Sequence, residues 1–440
     1  MRLLYTCRAI VLAGVLMATN ATAGMIRDTE IEAGLTRLAA PLITAAGYAP
    51  NAVKLRVIID PSYNAFVAGE MTIYIHSGLL TEARSGEEIL GVIAHELGHL
   101  KAGHVPRRDE ALREASGAGA LATIAALALA AGGAPADATI GVMIGGNDQV
   151  NRQLLRGFRR DESVADEFGL RFLDTAQVSA RGLAEMMRRL AAQRALPENR
   201  QSQYYQTHPG AADRLAVYND HLQQSSFANS RLADRPRQLM TRITDKLRAY
   251  SAPPQQTIAN LSALAAANRD YGLAIAQFRR GDLQAALTIM DHKTADQPDD
   301  AFFHEFRGDI LMSLAQPVAA AIAYETAIKL RPDSPQNLLN LGRALVATQD
   351  KARLSRAVAA LELAVRGEPR WAFAHRQLAI AYGRAGQIAA ADITLADEAV
   401  LRQDKQQAIR MARRVIKRPE IAADIRNRAN DILFRFGAAE

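Results

Sequence analysis

Apolar residues recur at helical spacing over most of the chain, and they alternate with other residues in only two short segments. The first predicted helix covers residues 27–48, where apolar positions lie three and four apart. Strands are predicted at 53–60 and 71–76 from alternation, with turn residues from Asn64 to Phe66 and at Gly69. Further helices are predicted at 86–102, 153–176 and 180–194.

The first 23 residues predict an export signal. An apolar run at 9–18 follows a basic residue, and the small residues 21–23 form a cleavage pattern. The run is too short to span a bilayer stably, although an uncleaved anchor is the alternative. Cys7, the one cysteine, lies in this segment. The mature chain therefore has no thiol for a disulfide or a thiolate metal site.

The second half of the chain repeats with a period of 34 residues. Gly308 and Gly342 are 34 residues apart, and Ala274 lies 34 residues before Gly308. A third unit carries three extra residues around 351–353, and Lys293 departs from the pattern in the first unit, as Glu398 does in the fourth. The pattern over about 267–402 resembles tetratricopeptide repeats, and 404–436 is predicted as a capping helix pair.

Two prolines after Ser251 predict the domain boundary. We therefore expect a signal at 1–23, a catalytic domain at 24–250 and a repeat domain at 251–440.

Composition narrows the classes of protein. Hydrophobic residues make up 49% and charged residues 22%, so most of the chain can bury a core. Aromatic residues are only 5%, which together with abundant alanine favours closely packed helices. The chain has 53 basic and 46 acidic residues, but no basic stripe with interleaved aromatics. A nucleic-acid partner is therefore not expected.

The candidate chemistry begins with His95-Glu96-Leu97-Gly98-His99. On a helix, residues four apart share a face, so both imidazoles can bind one zinc ion while Glu96 reaches a water molecule. Zinc needs a third protein ligand, and Glu162 is the candidate, with Asp166 accepting the free ring N–H of a histidine ligand. The alternative for both carboxylates is an exposed, charged start of a helix.

These motifs, with the later His208-Pro-x-x-x-x-Arg214 segment, resemble the HtpX-like and CaaX-protease-like gluzincin metallopeptidases. The signal and the repeats make the chain similar to the BepA-type periplasmic members. The resemblance implies that His95, His99 and Glu162 bind one zinc ion per chain, and that Glu96 is the catalytic base. It also implies that Asn64 and the strand 71–76 line the cleft.

Two further roles are predicted for the cleft. His208 and Arg214 are candidate donors to the oxyanion, although His208 has an alternative role as occupant of the open zinc position at rest. An extended substrate is expected along the edge of the strand that carries Thr72, Tyr74 and His76. His104 is interpreted as an ordinary surface or supporting residue.

The uncharged stretch 115–136 is long enough for a membrane span. A single crossing would separate residues 95–99 from Glu162. We therefore expect a helical flap at 115–147 that covers the site or rests on a membrane surface, or else a buried Ala-rich helix.

The sequence thus predicts a mainly α (α+β) protein, in which a gluzincin-like domain with a small sheet precedes a helical repeat solenoid. The expected function is a periplasmic zinc endopeptidase, peripheral to the outer membrane, that hydrolyses misfolded or stalled envelope proteins. Its repeats would dock on an envelope assembly complex. The alternatives are a chaperone or assembly adaptor with a latent protease site and, less favoured, an intramembrane protease.

Overall fold

The computed structural model describes residues 25–68, 71–104, 148–193, 204, 208, 210–262 and 266–437. The predicted export signal, Gly69 and the uncharged stretch within 115–147 lie outside these residues. Within the described ranges, no helix combines the length and the apolarity that a membrane span requires.

A small four-stranded sheet has the order β1-β2-β4-β3. Strand β4 pairs in parallel with β2 and antiparallel with β3, while β1 pairs antiparallel with β2. Buried side chains at Leu55, Val57, Ile73 and Ile75 explain the alternation seen in the sequence. The strands are β1 (Met25–Ile26), β2 (Lys54–Ile58), β3 (Ala65–Ala68) and β4 (Thr72–His76).

The sheet corrects two expectations. The segment from Asn64 to Phe66 is not a turn, because Ala65 begins strand β3 and the Phe66 ring stacks on Tyr74 with centroids 5.3 Å apart. The strand that carries Thr72 and Tyr74 is interior, so its backbone groups already pair on both sides. The edge next to it belongs to β3, and the expectation of a free edge on β4 is wrong.

Helices of the first part of the chain follow the predicted periodicity closely. The third helix begins after Ser85, whose side chain accepts a hydrogen bond from the Glu88 N–H at 3.2 Å, the usual N-cap arrangement. The bounds are α1 (Thr29–Ala45), α2 (Ser77–Glu82), α3 (Gly86–Lys101), α4 (Asp148–Thr175), α5 (Arg181–Ala192) and α6 (Ala211–Gln224).

Each of the remaining helices packs against its neighbours in the chain, which is typical of a repeat solenoid. They are α7 (Asp234–Ser251), α8 (Pro254–Ser262), α9 (Ala266–Arg280), α10 (Leu283–Asp296), α11 (Ala301–Ser313), α12 (Pro317–Leu330), α13 (Pro335–Ala347), α14 (Leu354–Gly367), α15 (Ala372–Arg384), α16 (Ile388–Leu401), α17 (Lys405–Ile416) and α18 (Ala423–Arg435).

Small residues permit close crossing within each repeat. A Cβ atom added at Gly308 would lie 2.6 Å from the Tyr324 side chain, and one at Gly342 would lie 2.4 Å from Leu361. The three extra residues of the third unit form a short 3-10 turn, Lys351–Arg353. The predicted repeat architecture is confirmed, because small positions on one helix face an aromatic or leucine residue on the next.

The chain divides into two compact units. The first contains residues 39–231 together with β1, and the second contains 28–38 and 232–440. This division differs from the boundary predicted at 250–251, because α7 belongs to the repeat unit and Pro254 starts a helix there. The start of α1 also belongs to that unit, where the buried Glu30 carboxylate accepts hydrogen bonds from Lys246 and Tyr271 at 2.8 and 2.6 Å.

Candidate metal centre

Helix α3 brings His95, Glu96 and His99 into a buried site. All three residues are no more than 4% exposed. The Nε2 atoms of the two histidines lie 3.1 Å apart, as expected for residues one helical turn apart that share a face. Three polar side chains buried together at this spacing could hold a cation.

Helix α4 lies against α3 at two glycines. A Cβ atom at Gly98 would lie 2.2 Å from the carbonyl oxygen of Ala165, and one at Gly169 would lie 3.2 Å from the Ala94 backbone. This close packing lets the carboxylates of Glu162 and Asp166 reach the histidines. Both carboxylates are no more than 3% exposed, which contradicts the alternative of an exposed helix start.

Four side chains converge on one point. Glu162 lies 3.3 Å from His95 Nε2 through Oε2 and 3.2 Å from His99 Nε2 through Oε1. His208 joins them, with its Nδ1 atom 2.9 Å from Glu162 Oε2 and 3.3 Å from His95 Nε2. One donor atom from each of these four residues lies within 4.8 Å of the others.

The donor set fits zinc in geometry and in charge. Four ligands at about 2.1 Å from zinc at tetrahedral corners lie roughly 3.4 Å from one another, close to the spacings observed. Two or three imidazoles with one carboxylate are ligands that zinc prefers. With neutral imidazoles, as a metal site requires, the carboxylates of Glu96, Glu162 and Asp166 outnumber the guanidinium of Arg214 by two formal charges, which a divalent cation would balance.

Behind the donors, Asp166 and Arg214 form a buried pair. Asp166 Oδ1 lies 2.8 Å from His95 Nδ1, the ring nitrogen that faces away from the cluster. Arg214 donates to Asp166 through Nε at 2.7 Å and Nη2 at 2.8 Å, and to Glu162 through Nη1 at 2.9 Å. Tyr218, one turn after Arg214, also donates to Asp166. These contacts fix the orientation of both carboxylates.

The pKa shifts follow from burial and from these partners. Burial raises the pKa of Glu162, but the opposing effect of His208, His99 and Arg214 is larger. The pKa of Glu162 therefore lies well below its usual value. Burial likewise raises the pKa of Asp166, and Arg214 and His95 lower it to below the usual range. These contacts favour the ionised form of both carboxylates.

The two histidines of α3 differ in their surroundings. Burial lowers the pKa of His99 to about 3. Burial and Arg214 also lower the pKa of His95, but its hydrogen bonds with Asp166 and Glu162 raise it to about 9. The difference arises because His95 has a carboxylate on each ring nitrogen.

The remaining predicted residues occupy three places. His208 lies among the donors, with Nε2 3.6 Å from Glu96 Oε1. Arg214 lies behind them with its N–H groups directed to Glu162, Asp166 and neighbouring groups of this chain, so the geometry corrects its expected role as oxyanion donor. Asn64 is buried beside β3, while Thr72 and Tyr74 lie on the interior strand β4.

Sequence reasoning missed several supporting residues. Tyr204 stacks on His208 with ring centroids 4.2 Å apart, and no spacing rule links the two. The spacing could have indicated Tyr218, since it lies four residues after Arg214 on one helix. His104 lies against His99, with the two Nδ1 atoms 2.8 Å apart, which fits the supporting role that the sequence left open for it.

Comparison with known families agrees with this geometry. The model of peptidase family M48 matches residues 26–221, the stretch that contains strands β2 to β4, α3, α4 and all four donors. This match covers less than half of the chain. Zinc is the cofactor that this family match supports, and among the described residues His95, His99, Glu162 and His208 could hold the ion.

Curated relatives carry protease names. Metalloprotease LoiP of Escherichia coli strain K12 is 31% identical over 170 residues, which cover 39% of this chain and 63% of LoiP. A putative beta-barrel assembly-enhancing protease of Vibrio cholerae is 29% identical over 205 residues, covering 46% of this chain and 41% of the relative. The Yersinia pestis beta-barrel assembly-enhancing protease is 22% identical over 346 residues, covering 74% and 68%. The chain thus spans less than two thirds of the first two relatives.

Among solved structures, a MamA double mutant matches with a TM-score of 0.34 and 19% identity, covering 38% of this chain and 94% of that one. A tetratricopeptide-repeat protein of Thermus thermophilus matches with a TM-score of 0.26 and 21% identity, covering 39% and 100%.

Proposed function

We propose that this chain is a zinc-dependent endopeptidase of the bacterial periplasm that hydrolyses misfolded or stalled envelope proteins. The observation that carries the proposal is the convergence of His95, His99 and Glu162 next to Glu96 within an M48 domain. The names of the curated relatives support an envelope role, and the predicted signal at 1–23 supports export.

Zinc, when bound, polarises water and the peptide carbonyl. Glu96 is one position from His95 on the same helix, and its carboxylate lies on the donor side of the cluster, 3.6 Å from His208. We assign Glu96 as the general base that takes a proton from the attacking water and returns it to the leaving amine. Burial of the site keeps its proton transfers away from bulk solvent.

Substrate binding is proposed along β3. Among the described strands β3 forms one edge of the sheet, and it packs against α3, which carries His95, Glu96 and His99. An extended peptide can add to such an edge through its backbone, which requires no particular sequence. Neither amide atom of the buried Asn64 has a hydrogen-bond partner among the described residues, so this side chain is available to a peptide backbone.

The position of His208 bears on the resting state of the enzyme. Its Nδ1 atom lies among the metal donors rather than outside them. A fourth protein ligand fills the position that a catalytic zinc site keeps open for water. We therefore favour the role of His208 as the occupant of that position at rest.

The repeats are proposed to bind protein partners, including an envelope assembly complex. Phe373 and Ile380 on α15 are each 42% exposed, and the Arg343 guanidinium carbon lies 5.6 Å from the Phe373 ring centre. This apolar and basic surface suits a protein segment with apolar and acidic residues.

A second candidate function is an assembly adaptor whose protease site is latent. The presence of His208 among the donors favours it, because a blocked site leaves the repeats as the active part. The two functions differ in one outcome: an adaptor would restore envelope integrity to a deletion strain when Glu96 is replaced by Gln, but not when residues 267–402 are removed.

Replacing Glu96 by Gln tests the endopeptidase directly. The neutral amide cannot accept the proton, so cleavage of an unfolded protein should fall at least about 10²-fold, while one zinc ion per chain is retained. Cleavage is followed by gel electrophoresis and zinc by elemental analysis.

The matched control is Glu167→Gln, the same change at an exposed position of α4, which should leave the rate unaltered. Cleavage by the Glu96→Gln protein at the wild-type rate would contradict the proposed function.

A further inference from the structure

His104 is placed by the way α3 ends. The Ala102 N–H donates to the Gly98 carbonyl oxygen, and Gly103 then adopts a left-handed φ of 69°. This turn returns the chain toward the helix and places the His104 ring against His99, with centroids 5.0 Å apart and planes at 65°. His104 is only 3% exposed, so the contact is buried.

The contact is a directed hydrogen bond. The Nε2 atom of His99 faces Glu162 and His95, whereas its Nδ1 atom lies 2.8 Å from Nδ1 of His104. A neutral imidazole has one N–H and one lone pair. If Nε2 offers its lone pair to a cation, Nδ1 must carry the hydrogen and donate it, so His104 Nδ1 accepts.

The other nitrogen of His104 faces a carboxylate. His104 Nε2 lies 3.5 Å from Oδ1 of Asp161. Since Nδ1 of His104 accepts, its Nε2 carries the hydrogen and points to this negative charge. Helix α4 thus places a carboxylate behind each of the two histidines. Asp166 contacts His95 directly, whereas Asp161 faces His104, which in turn contacts His99.

We infer that His104 is a positioning residue for the zinc ligand His99, which it holds in the Nδ1–H tautomer. The inference rests on the proposed zinc site and concerns the strength of metal binding. Hydrogen-bond acceptors behind histidine ligands orient the ring and raise its basicity, and their loss typically weakens metal binding by about 10–100-fold.

Three substitutions separate this role from simple filling of space. In His104→Asn, the amide oxygen takes nearly the place of Nδ1, so the acceptor is kept. In His104→Gln, the amide reaches toward the place of Nε2, and in His104→Leu no acceptor remains. If His104 only fills space, the zinc affinity of the variants should follow the size of the side chain. If it positions His99, the zinc affinity should depend on whether an acceptor remains next to His99.

The experiment measures the zinc dissociation constant of each full-length protein by competition with a chelator. We expect His104→Leu to weaken zinc binding about 10–100-fold, His104→Gln to weaken it in the same direction, and His104→Asn to stay close to wild type. The control is His375→Leu, which removes another buried histidine from the repeat unit and should leave zinc affinity unchanged.

Three results would overturn the inference. The first is a wild-type affinity for zinc in both the Leu and the Gln variants. The second is an equal loss of zinc affinity in the Asn and Gln variants. These two variants can still be compared if the Leu variant does not fold. The third is a wild-type chain that takes up no zinc, which would also end the proposed function. Zinc binding by the wild type with the first or second result would refute the positioning role alone.

Discussion

At the scale of single residues, Arg214 shows how burial changes the meaning of a charged side chain. Its guanidinium is 5% exposed and donates to two carboxylates, Asp166 and Glu162. Removing one member of such a buried pair leaves an uncompensated charge, which is strongly destabilising. We therefore propose that Arg214 is a positioning residue, which acts through Asp166 and Glu162.

His208 gives a prediction with two opposite outcomes. If it fills the fourth donor position at rest, His208→Ala should raise kcat/KM for a peptide substrate, by up to about a hundredfold if the blocked form makes up about 99% of molecules. If it instead donates to the oxyanion, the same change should lower the rate about 10²–10³-fold. The donor geometry favours the increase.

The measurement is steady-state cleavage by zinc-loaded protein, with zinc content checked in each preparation. His221→Ala is a suitable control, because this half-buried histidine of α6 interacts with Asp174 away from the metal cluster. An unchanged rate in His208→Ala would refute both roles.

At the scale of elements, the site depends on how closely α3 and α4 pack. Gly98 faces the Ala165 carbonyl with no room for a Cβ atom, and backbone cannot rotate away as a side chain can. The glycine inside the histidine motif therefore has a packing role, and the same contact brings Glu162 to the histidines.

Gly98→Ala should accordingly force the two helices apart. We expect the free energy of unfolding to fall by about 1–3 kcal/mol, as for other overpacked cores, together with weaker zinc binding. Chemical denaturation and chelator competition measure the two effects.

Gly383→Ala is the matched control, because this exposed helical glycine has no atom within 4 Å of an added Cβ. It should leave zinc binding unchanged and should stabilise its helix by at most about 1 kcal/mol. Equal effects of the two substitutions would contradict the packing argument.

At the scale of the whole molecule, metal chemistry and repeats belong to different compact units. All four donors lie in 39–231, whereas the repeats have hydrophobic cores of their own around Phe306, Leu361 and Met411. A ligand stabilises the folded state that binds it, by about 4 kcal/mol at a thousand times its dissociation constant.

Removal of zinc should therefore affect thermal unfolding unequally. In calorimetry of the full chain, a chelator should lower the temperature of one transition and leave a second, from the repeats, in place. Glu162→Ala should already show the lowered transition and should not respond further to chelator. A uniform shift of the entire unfolding profile would contradict this expectation.

Much of this protein was determined by local sequence. Helical spacing predicted α1, α3, α4 and α5 within a few residues, because burying one face of a helix imposes a period that any stretch displays by itself. The 34-residue period predicted the repeats, since each unit must present small residues where its helices cross. The histidine motif required only one helix.

Tertiary structure decided what depends on residues distant in sequence. The order of strands made β3 the edge and β4 interior, and a four-residue strand carries too little pattern to reveal this. The packing of α7 with the repeats moved the boundary between units away from the prolines. The roles of Arg214, His208 and His104 depend on which atoms face one another within about 3 Å, a relation fixed by packing and invisible in spacing along the chain.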